Sequence, residues 1–266
     1  MYETNYHRAG STGEAVKLMK KAGDGKYISG GQTLLPTMKQ RLAAPTDLVD
    51  LRHIAAMKGI AVNGNQVTIG AATTHAEVAS SKELRAACAG ICDLAGLIGD
   101  PAVRSMGTIG GSIANNDPAA DYPAAMMALN ARIMTNKRTI DTDNFFTGMF
   151  ETALESDEII TAVSFAAPAK SGYEKFPNPA SRYAMAGVFV AKLKNGEVRV
   201  GVTGAGSGGV FRHEEMEKAL AGNWSADAVA NAKVNEKNML SDIHASAAYR
   251  ANLVRVMAKR AVAKAG

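Results

Sequence analysis

The chain has 266 residues, a formal net charge of +5 and only two cysteines. This length can bury a substantial core and hold one to three domains. The basic residues are spaced out and no aromatic residues alternate with them, which argues against a nucleic-acid interface. No apolar run is long enough to span a bilayer and the polar N-terminus does not resemble a signal peptide, so we expect no transmembrane segment and a cytoplasmic protein.

The first part of the chain predicts short strands that alternate with helices. A capping box formed by Ser11 and Glu14 opens the first helix. The predicted elements that follow are a strand at 26–29, helical turns at 34–41, a strand at 47–51, and a hairpin of 59–62 and 66–70 around Asn63-Gly64-Asn65.

Two helices are predicted next. The first opens at 73–77, and the second covers 83–98 and ends at Asp100-Pro101. Cys88 and Cys92 are four residues apart, on one face of the second helix. We expect both to be buried free thiols in a reducing compartment, because a metal site would need more ligands than the neighbouring sequence offers.

The second half of the chain predicts further strands and helices, and from near residue 174 they form a small sheet backed by helices. The predicted strands are 131–135, 139–140, 158–165, 184–193 and 197–203, the last two joined by a hairpin at Asn195-Gly196. The predicted helices are 124–130, 214–221 and segments that fill 225–264, broken near 238–241. The spaced basic residues of the last segment, beginning at Arg250, are expected on a solvated helix face, with a docking surface for a partner as the alternative.

Two segments share one pattern, in which a glycine pair is followed by hydroxyl and amide side chains. The first surrounds Gly30-Gly31, and the second runs from Thr108 through Gly110-Gly111 to Asp121. Paired glycines permit positive φ angles and a close approach of another group. Successive free backbone N–H groups in such turns bind anions. We therefore predict two turns that hold a phosphate-bearing ligand between them.

The other motifs in the sequence are weaker evidence for a functional site. Residues 204–209 match G-x-G-x-x-G, but no helix opens at the third glycine, so we expect a connection at a strand end rather than a dinucleotide site. The five histidines are scattered, and each is expected to be exposed or satisfied. No nucleophile elbow, Walker loop or carboxylate pair is present. Ligand loops without catalytic side chains indicate that a cofactor performs the chemistry.

Residues 29–39 with 48–51, and residues 108–121, together resemble the FAD-binding medium subunit of molybdenum hydroxylases, in particular that of aerobic carbon monoxide dehydrogenases. The resemblance covers nearly the whole chain. It implies an α+β fold with a two-lobed FAD-binding domain of the vanillyl-alcohol-oxidase type at 1–173, with lobes at 1–55 and 56–173. A small α+β flavoprotein C-terminal domain, a sheet backed by helices, would follow at 174–266.

The resemblance also implies a set of FAD-binding residues. The two glycine segments would hold the diphosphate, Asp121 would lie near the nucleoside end, Ile98 would cover the flavin ring and Ile160 would line the site. Lys175 would lie near the flavin, where a cation raises its potential. The full set is Ser29, Gly30, Gly31, Gln32, Thr33, Leu34, Ile98, Thr108, Ile109, Gly110, Gly111, Ser112, Ala114, Asp117, Asp121, Ile160 and Lys175. Tyr183 is expected near the ring face, and the FAD is expected to be non-covalent.

The implied function is electron transfer. A molybdenum-cofactor large subunit would oxidise the substrate, a [2Fe–2S] small subunit would relay electrons, and this chain would pass them to a terminal acceptor within a dimer of heterotrimers. Two cysteines cannot ligate a four-cysteine cluster, which is consistent with this division. The alternatives are a free-standing FAD-dependent oxidoreductase with its own small-molecule substrate and a scaffold that has lost FAD. Neither the substrate nor the acceptor is written in the sequence.

Overall fold

A computed structural model describes residues 1–266. Its N-terminal lobe is a three-stranded parallel sheet of order β1-β3-β2. The elements are β1 (Asn5–Arg8), α1 (Thr12–Lys21), β2 (Gly25–Ile28), α2 (Leu34–Lys39) and β3 (Asp47–Asp50). The predicted cap of α1 is confirmed, since the Glu14 N–H donates to Ser11 Oγ at 3.1 Å.

The second lobe contains a five-stranded antiparallel sheet of order β4-β5-β10-β6-β7 and a separate β8-β9 hairpin. Its strands are β4 (Ile60–Asn63), β5 (Gln66–Gly70), β6 (Arg132–Thr135), β7 (Thr139–Asp141), β8 (Phe146–Gly148), β9 (Glu151–Thr152) and β10 (Ile160–Ala166). Its helices are α3 (His75–Ser80), α4 (Lys82–Ala87), α5 (Ala89–Gly96), α6 (Pro101–Met106), α7 (Ile109–Asn115) and α8 (Tyr122–Ala128). The predicted hairpin around Asn63-Gly64-Asn65 is confirmed.

The prediction of one helix over 83–98 was wrong. Cys88 adopts φ −157° and ψ 85° and separates α4 from α5. The Ser171 hydroxyl accepts the Gly90 N–H at 3.2 Å, so a tertiary contact supplies the acceptor that a continuous helix would have provided. Both cysteines are buried and free, as predicted.

Asp100-Pro101 begins a helix rather than ending one. Asp100 Oδ1 accepts the Val103 N–H at 2.9 Å, and Pro101 occupies the first turn of α6. Proline is tolerated there because the first-turn N–H has no partner within the helix. A proline in the sequence is therefore compatible with the end of one helix and with the beginning of the next.

The C-terminal part is an antiparallel sheet of order β11-β12-β13-β14 packed against helices. Its elements are β11 (Lys170–Pro177), β12 (Ala184–Lys192), β13 (Val198–Thr203), β14 (Phe211–Arg212), α9 (Glu214–Gly222) and α10 (Ala247–Ala265). The hairpin around Asn195-Gly196 is confirmed. Residues 204–209 connect β13 to β14 with no helix after the glycines, as predicted.

Of the helical segments predicted over 225–264, α10 confirms 247–264, whereas 225–246 contains no α-helix. Before α10 there is only one 3₁₀ turn, Glu236–Asn238. Asn235 and Asp242 accept the N–H groups of Lys237 and His244 at 3.1 Å and 2.9 Å. Such side-chain bonds compete with helix formation.

Arg250 corrects the prediction of a fully solvated basic face. It is only 4% exposed. Its Nη1 donates to the carbonyls of Met185 and Gly204 at 2.7 Å and 2.8 Å, and its Nη2 donates to Asp242 at 2.6 Å. Arg250 therefore joins α10 to the ends of β12 and β13.

One hydrophobic core extends from the second lobe into the C-terminal sheet, because it includes Tyr173 of β11 and Phe189 of β12. A Cβ at Gly201 would lie 2.1 Å from the Ala124 carbonyl oxygen, so α8 packs directly on the backbone of β13. Strand β11 runs across residues 173 and 174, and a division at that point remains a prediction. None of the helices combines the length and apolar character needed to cross a membrane.

Candidate cofactor-binding site

A cavity of about 930 Å³ is lined by both glycine segments. All but two of the predicted FAD-binding residues line it. They are Ser29, Gly30, Gly31, Gln32, Thr33, Leu34, Ile98, Thr108, Gly110, Gly111, Ser112, Ala114, Asp117, Asp121 and Ile160. The two segments, far apart in sequence, therefore meet at one cavity.

The first glycine segment is a turn between β2 and α2. Gly31 has φ +71°, a conformation that favours glycine. A Cβ at Gly30 would lie 2.4 Å from the Met106 carbonyl oxygen, so this position requires glycine for a close backbone approach. The backbone N–H groups of residues 30–33 donate to no acceptor in the protein. Successive free donors of this kind form an anion-binding concavity.

The second glycine segment is not the open turn that the sequence predicted. Gly110 and Gly111 form the first turn of α7, and Thr108 caps it by accepting the Gly111 N–H at 3.2 Å. The Gly110 N–H donates to the Ala71 carbonyl at 2.9 Å. A Cβ at Gly110 would lie 2.7 Å from that same oxygen. This glycine therefore packs α7 onto the protein, and its N–H already has an acceptor.

The two segments contact each other directly. Thr108 Oγ1 donates to Ser29 Oγ at 3.0 Å. Gly30 packs on Met106 and Gly107, immediately before Thr108. A ligand that lies on the free N–H groups of the first segment would therefore also lie beside the second.

Apolar side chains form another part of the cavity wall. Ile98 and Ile160, both predicted, lie there with Val103 and Leu154. Tyr183, on the loop between β11 and β12, also lines the cavity. A polar end with free donors and an apolar wall match a ligand that has both a phosphate group and a ring system.

Two predicted residues, Ile109 and Lys175, do not line the cavity. Ile109 is fully buried in the core. Lys175 is buried, with its Nζ 2.9 Å from Asp121 Oδ1. Asp121 also accepts the Tyr173 hydroxyl. Lys175 therefore reaches the cavity only through Asp121, which does line it.

The sequence prediction missed several residues of the wall, among them His75, Tyr27 and Glu158. His75 is 5% exposed and its Nδ1 has no hydrogen-bond partner, so the expectation that each histidine is exposed or satisfied was wrong for this residue. The Tyr27 hydroxyl is also buried without a partner. Neither residue stands in a motif that singles it out.

The pKa values of Glu158 and of the two cysteines are far from neutral pH. Burial alone would raise the pKa of Glu158, but hydrogen bonds from Arg138, the Glu155 N–H and Thr135 lower it to about 2. Burial raises the pKa of the Cys88 thiol to about 11 and that of Cys92 to about 12. Thiols with such pKa values are poor nucleophiles.

Comparison with known proteins identifies two family regions. Residues 2–168 match the FAD binding domain in molybdopterin dehydrogenase, and residues 171–265 match the CO dehydrogenase flavoprotein C-terminal domain. The chain is 34% identical to the carbon monoxide dehydrogenase medium chain of Hydrogenophaga pseudoflava, over 97% of this chain and 95% of that one. It is 33% identical to the nicotine 6-hydroxylase medium subunit of Paenarthrobacter nicotinovorans, over 98% and 96%.

The fold agrees with these matches. A chain of the reconstituted CO dehydrogenase from Oligotropha carboxidovorans superimposes with a TM-score of 0.90 at 35% identity, covering 100% of this chain and 99% of that one. The predicted fold class, a two-lobed vanillyl-alcohol-oxidase-type FAD domain with an α+β C-terminal domain, is confirmed. The chain belongs to the family of FAD-binding medium subunits of molybdenum hydroxylases, close to the carbon monoxide dehydrogenase medium chain, and is an FAD-dependent oxidoreductase subunit.

Proposed function

We propose that this chain carries electrons through FAD between an iron–sulfur subunit and a terminal acceptor, while a molybdenum-cofactor large subunit oxidises the substrate. The assembly would be a dimer of heterotrimers with a [2Fe–2S] small subunit. The main support is the cavity that joins four free backbone donors to an apolar wall.

The free N–H groups of residues 30–33 would bind the FAD diphosphate, with Thr108, Gly111 and Ser112 beside them. Bound FAD supplies a two-electron carrier that can also exchange single electrons. Ile98 and Ile160 would pack against the flavin ring and shield it from water. Ala114 and Asp117 would complete the wall, and Ile109 would hold α7 in place from the core.

The Asp121–Lys175 pair would act on the cofactor through charge. Both side chains are buried, and the Asp121 carboxylate lies between the cavity and the Lys175 ammonium. The ammonium would offset the carboxylate charge close to the cofactor. The Tyr173 hydroxyl, which also donates to Asp121, would fix the orientation of the carboxylate.

The proposed division of labour rests on this chain's residues and on the names of its relatives. Its two cysteines are both buried with raised pKa values, and they are too few for a four-cysteine cluster. Relatives of similar identity belong to complexes named for carbon monoxide and for nicotine. We therefore propose that another subunit selects the substrate.

A matched pair of alanine variants tests the proposal in the chain purified with its partners. In Gly30→Ala the new Cβ meets the Met106 carbonyl, whereas in Gly96→Ala the new Cβ meets nothing within 4 Å. We expect Gly30→Ala to lose the flavin absorption and the electron transfer to an artificial acceptor, and Gly96→Ala to retain both.

Two results would contradict this function. If the chain is colourless in the wild-type complex, it does not carry electrons through FAD. Turnover of a small donor by the isolated chain, at the rate of the complex, would favour a free-standing oxidoreductase.

A further inference from the structure

His75 lies at the junction of the two glycine segments. It is the first residue of α3, and its backbone N–H donates to the Gly107 carbonyl at 2.9 Å. Its side chain lines the cavity although it is only 5% exposed. The small accessible part of the ring therefore belongs to the cavity wall.

The ring has a defined orientation. One contact is with the Tyr122 ring, at a centroid distance of 5.4 Å. The Nε2 edge faces Gly107, where a Cβ would lie only 2.6 Å from that nitrogen. A Cβ at Gly30 would in turn lie 2.6 Å from the Gly107 Cα. Gly107 therefore contacts both the Nε2 edge of His75 and Gly30, the first of the residues 30–33 with free N–H groups.

Neither ring nitrogen has a partner in the protein. Nδ1 is buried without a hydrogen bond, whereas Nε2, which forms no hydrogen bond in the protein either, is not among the buried atoms. An accessible ring nitrogen without a protein partner, on the wall of the cavity, is free to bind a ligand there. Nε2 is the nitrogen that lies toward the anion-binding turn.

The surroundings determine the charge of the ring. Burial first, and then the Arg104 guanidinium of α6, lower the pKa of His75 to about 4. The other group that faces it is the uncharged Tyr122 of α8. The imidazole is therefore neutral at pH 7 and can carry its proton on Nε2 as a donor.

We propose that His75 is a further FAD-binding residue, whose Nε2–H donates to a phosphate oxygen of the FAD diphosphate at the junction of the two glycine segments. This proposal rests on the placement of FAD in the cavity proposed above. It adds a side-chain donor to a cradle otherwise built from backbone N–H groups.

Two variants of the full chain separate hydrogen bonding from packing. His75→Phe keeps a ring against Tyr122 but removes the donor, and His75→Gln keeps an N–H near the Nε2 position. Titration of the apo-chain with FAD, followed by flavin fluorescence, should give a dissociation constant about tenfold higher for His75→Phe. The constant for His75→Gln should stay within about threefold of the wild-type value.

The pH profile is a second readout that packing alone would not change. A phosphate beside the ring favours the charged form, so the pKa of His75 should be higher with FAD bound than without. Binding then takes up a proton, and wild-type affinity should rise as the pH falls from 7 to 5. His75→Gln should lack this additional rise.

Equal FAD affinity in His75→Phe and the wild type would overturn the proposal, as would equal losses in His75→Phe and His75→Gln. If Gly30→Ala loses FAD while His75→Phe does not, only the role of His75 fails. If wild-type and Gly30→Ala chains bind FAD equally, the placement of the cofactor itself fails.

Discussion

The two glycine pairs look alike in the sequence and differ in the structure. Gly30-Gly31 forms a turn with a positive φ at Gly31 and leaves four consecutive N–H groups without acceptors. Gly110-Gly111 forms the first turn of α7, and both of its N–H groups have acceptors in the protein. The first pair offers backbone to a ligand, whereas the second brings a helix close to its neighbour.

The difference teaches that a missing Cβ has two separate uses. At Gly31 it permits a left-handed conformation, while at Gly110 it permits Ala71 to approach. Both uses serve one site, because the Ser29 and Thr108 hydroxyls join the two segments. Substitutions should therefore separate loss of FAD affinity from loss of stability.

The largest effect is expected at Gly110. In Gly110→Ala the new Cβ would lie 2.5 Å from the Ala71 Cβ in a fully packed region. The free energy of unfolding should fall by about 2 kcal/mol, as for other overpacked cores. Urea denaturation measures this change. The matched control is Gly111→Ala, whose Cβ meets only Thr108 Oγ1 at 3.0 Å and should cost much less. Equal stabilities of the two variants would remove the structural role assigned to Gly110.

A smaller loss of stability but a larger loss of FAD affinity is expected at Gly31. An alanine at φ +71° costs about 1 kcal/mol because of its left-handed conformation. Any shift of the turn also misaligns its free N–H groups. FAD titration and urea denaturation of the same variant measure both effects. Gly196→Ala, in the distant hairpin at φ +92°, should lose comparable stability and keep full FAD affinity. A Gly31→Ala chain with wild-type FAD affinity would contradict the proposal that the free N–H groups of residues 30–33 bind the FAD diphosphate.

The smallest effect is expected from the hydroxyl pair that joins the segments. Ser29→Ala removes the acceptor of the Thr108 hydroxyl, and Thr108→Val also removes the cap of α7. A double-mutant cycle in urea should give a coupling free energy of about 0.5–1 kcal/mol. Ser105→Ala serves as the control partner, because its hydroxyl bonds only within its own helix. A coupling of zero would mean that the contact does not hold the segments together.

Local sequence signals were enough for two of the hairpins and for the two glycine segments that line the cavity. The turns at Asn63-Gly64-Asn65 and Asn195-Gly196 follow from residue preferences over a few positions. Where the predictions failed, a distant partner decided. Ser171 interrupts the helix at Cys88, and Ala71 accepts the N–H of a glycine that was expected to be open.

The sequence by itself determined the family, the FAD cofactor, the α+β class and the two segments that meet at the cavity, because these depend on motifs of adjacent residues. Only the tertiary structure decided which segment has free N–H groups, that Lys175 lies behind Asp121, and that His75 borders the cavity without a partner. The physical reason is that a hydrogen-bonding group is free or satisfied according to neighbours brought close by folding. Those neighbours are not recorded in the residues beside it.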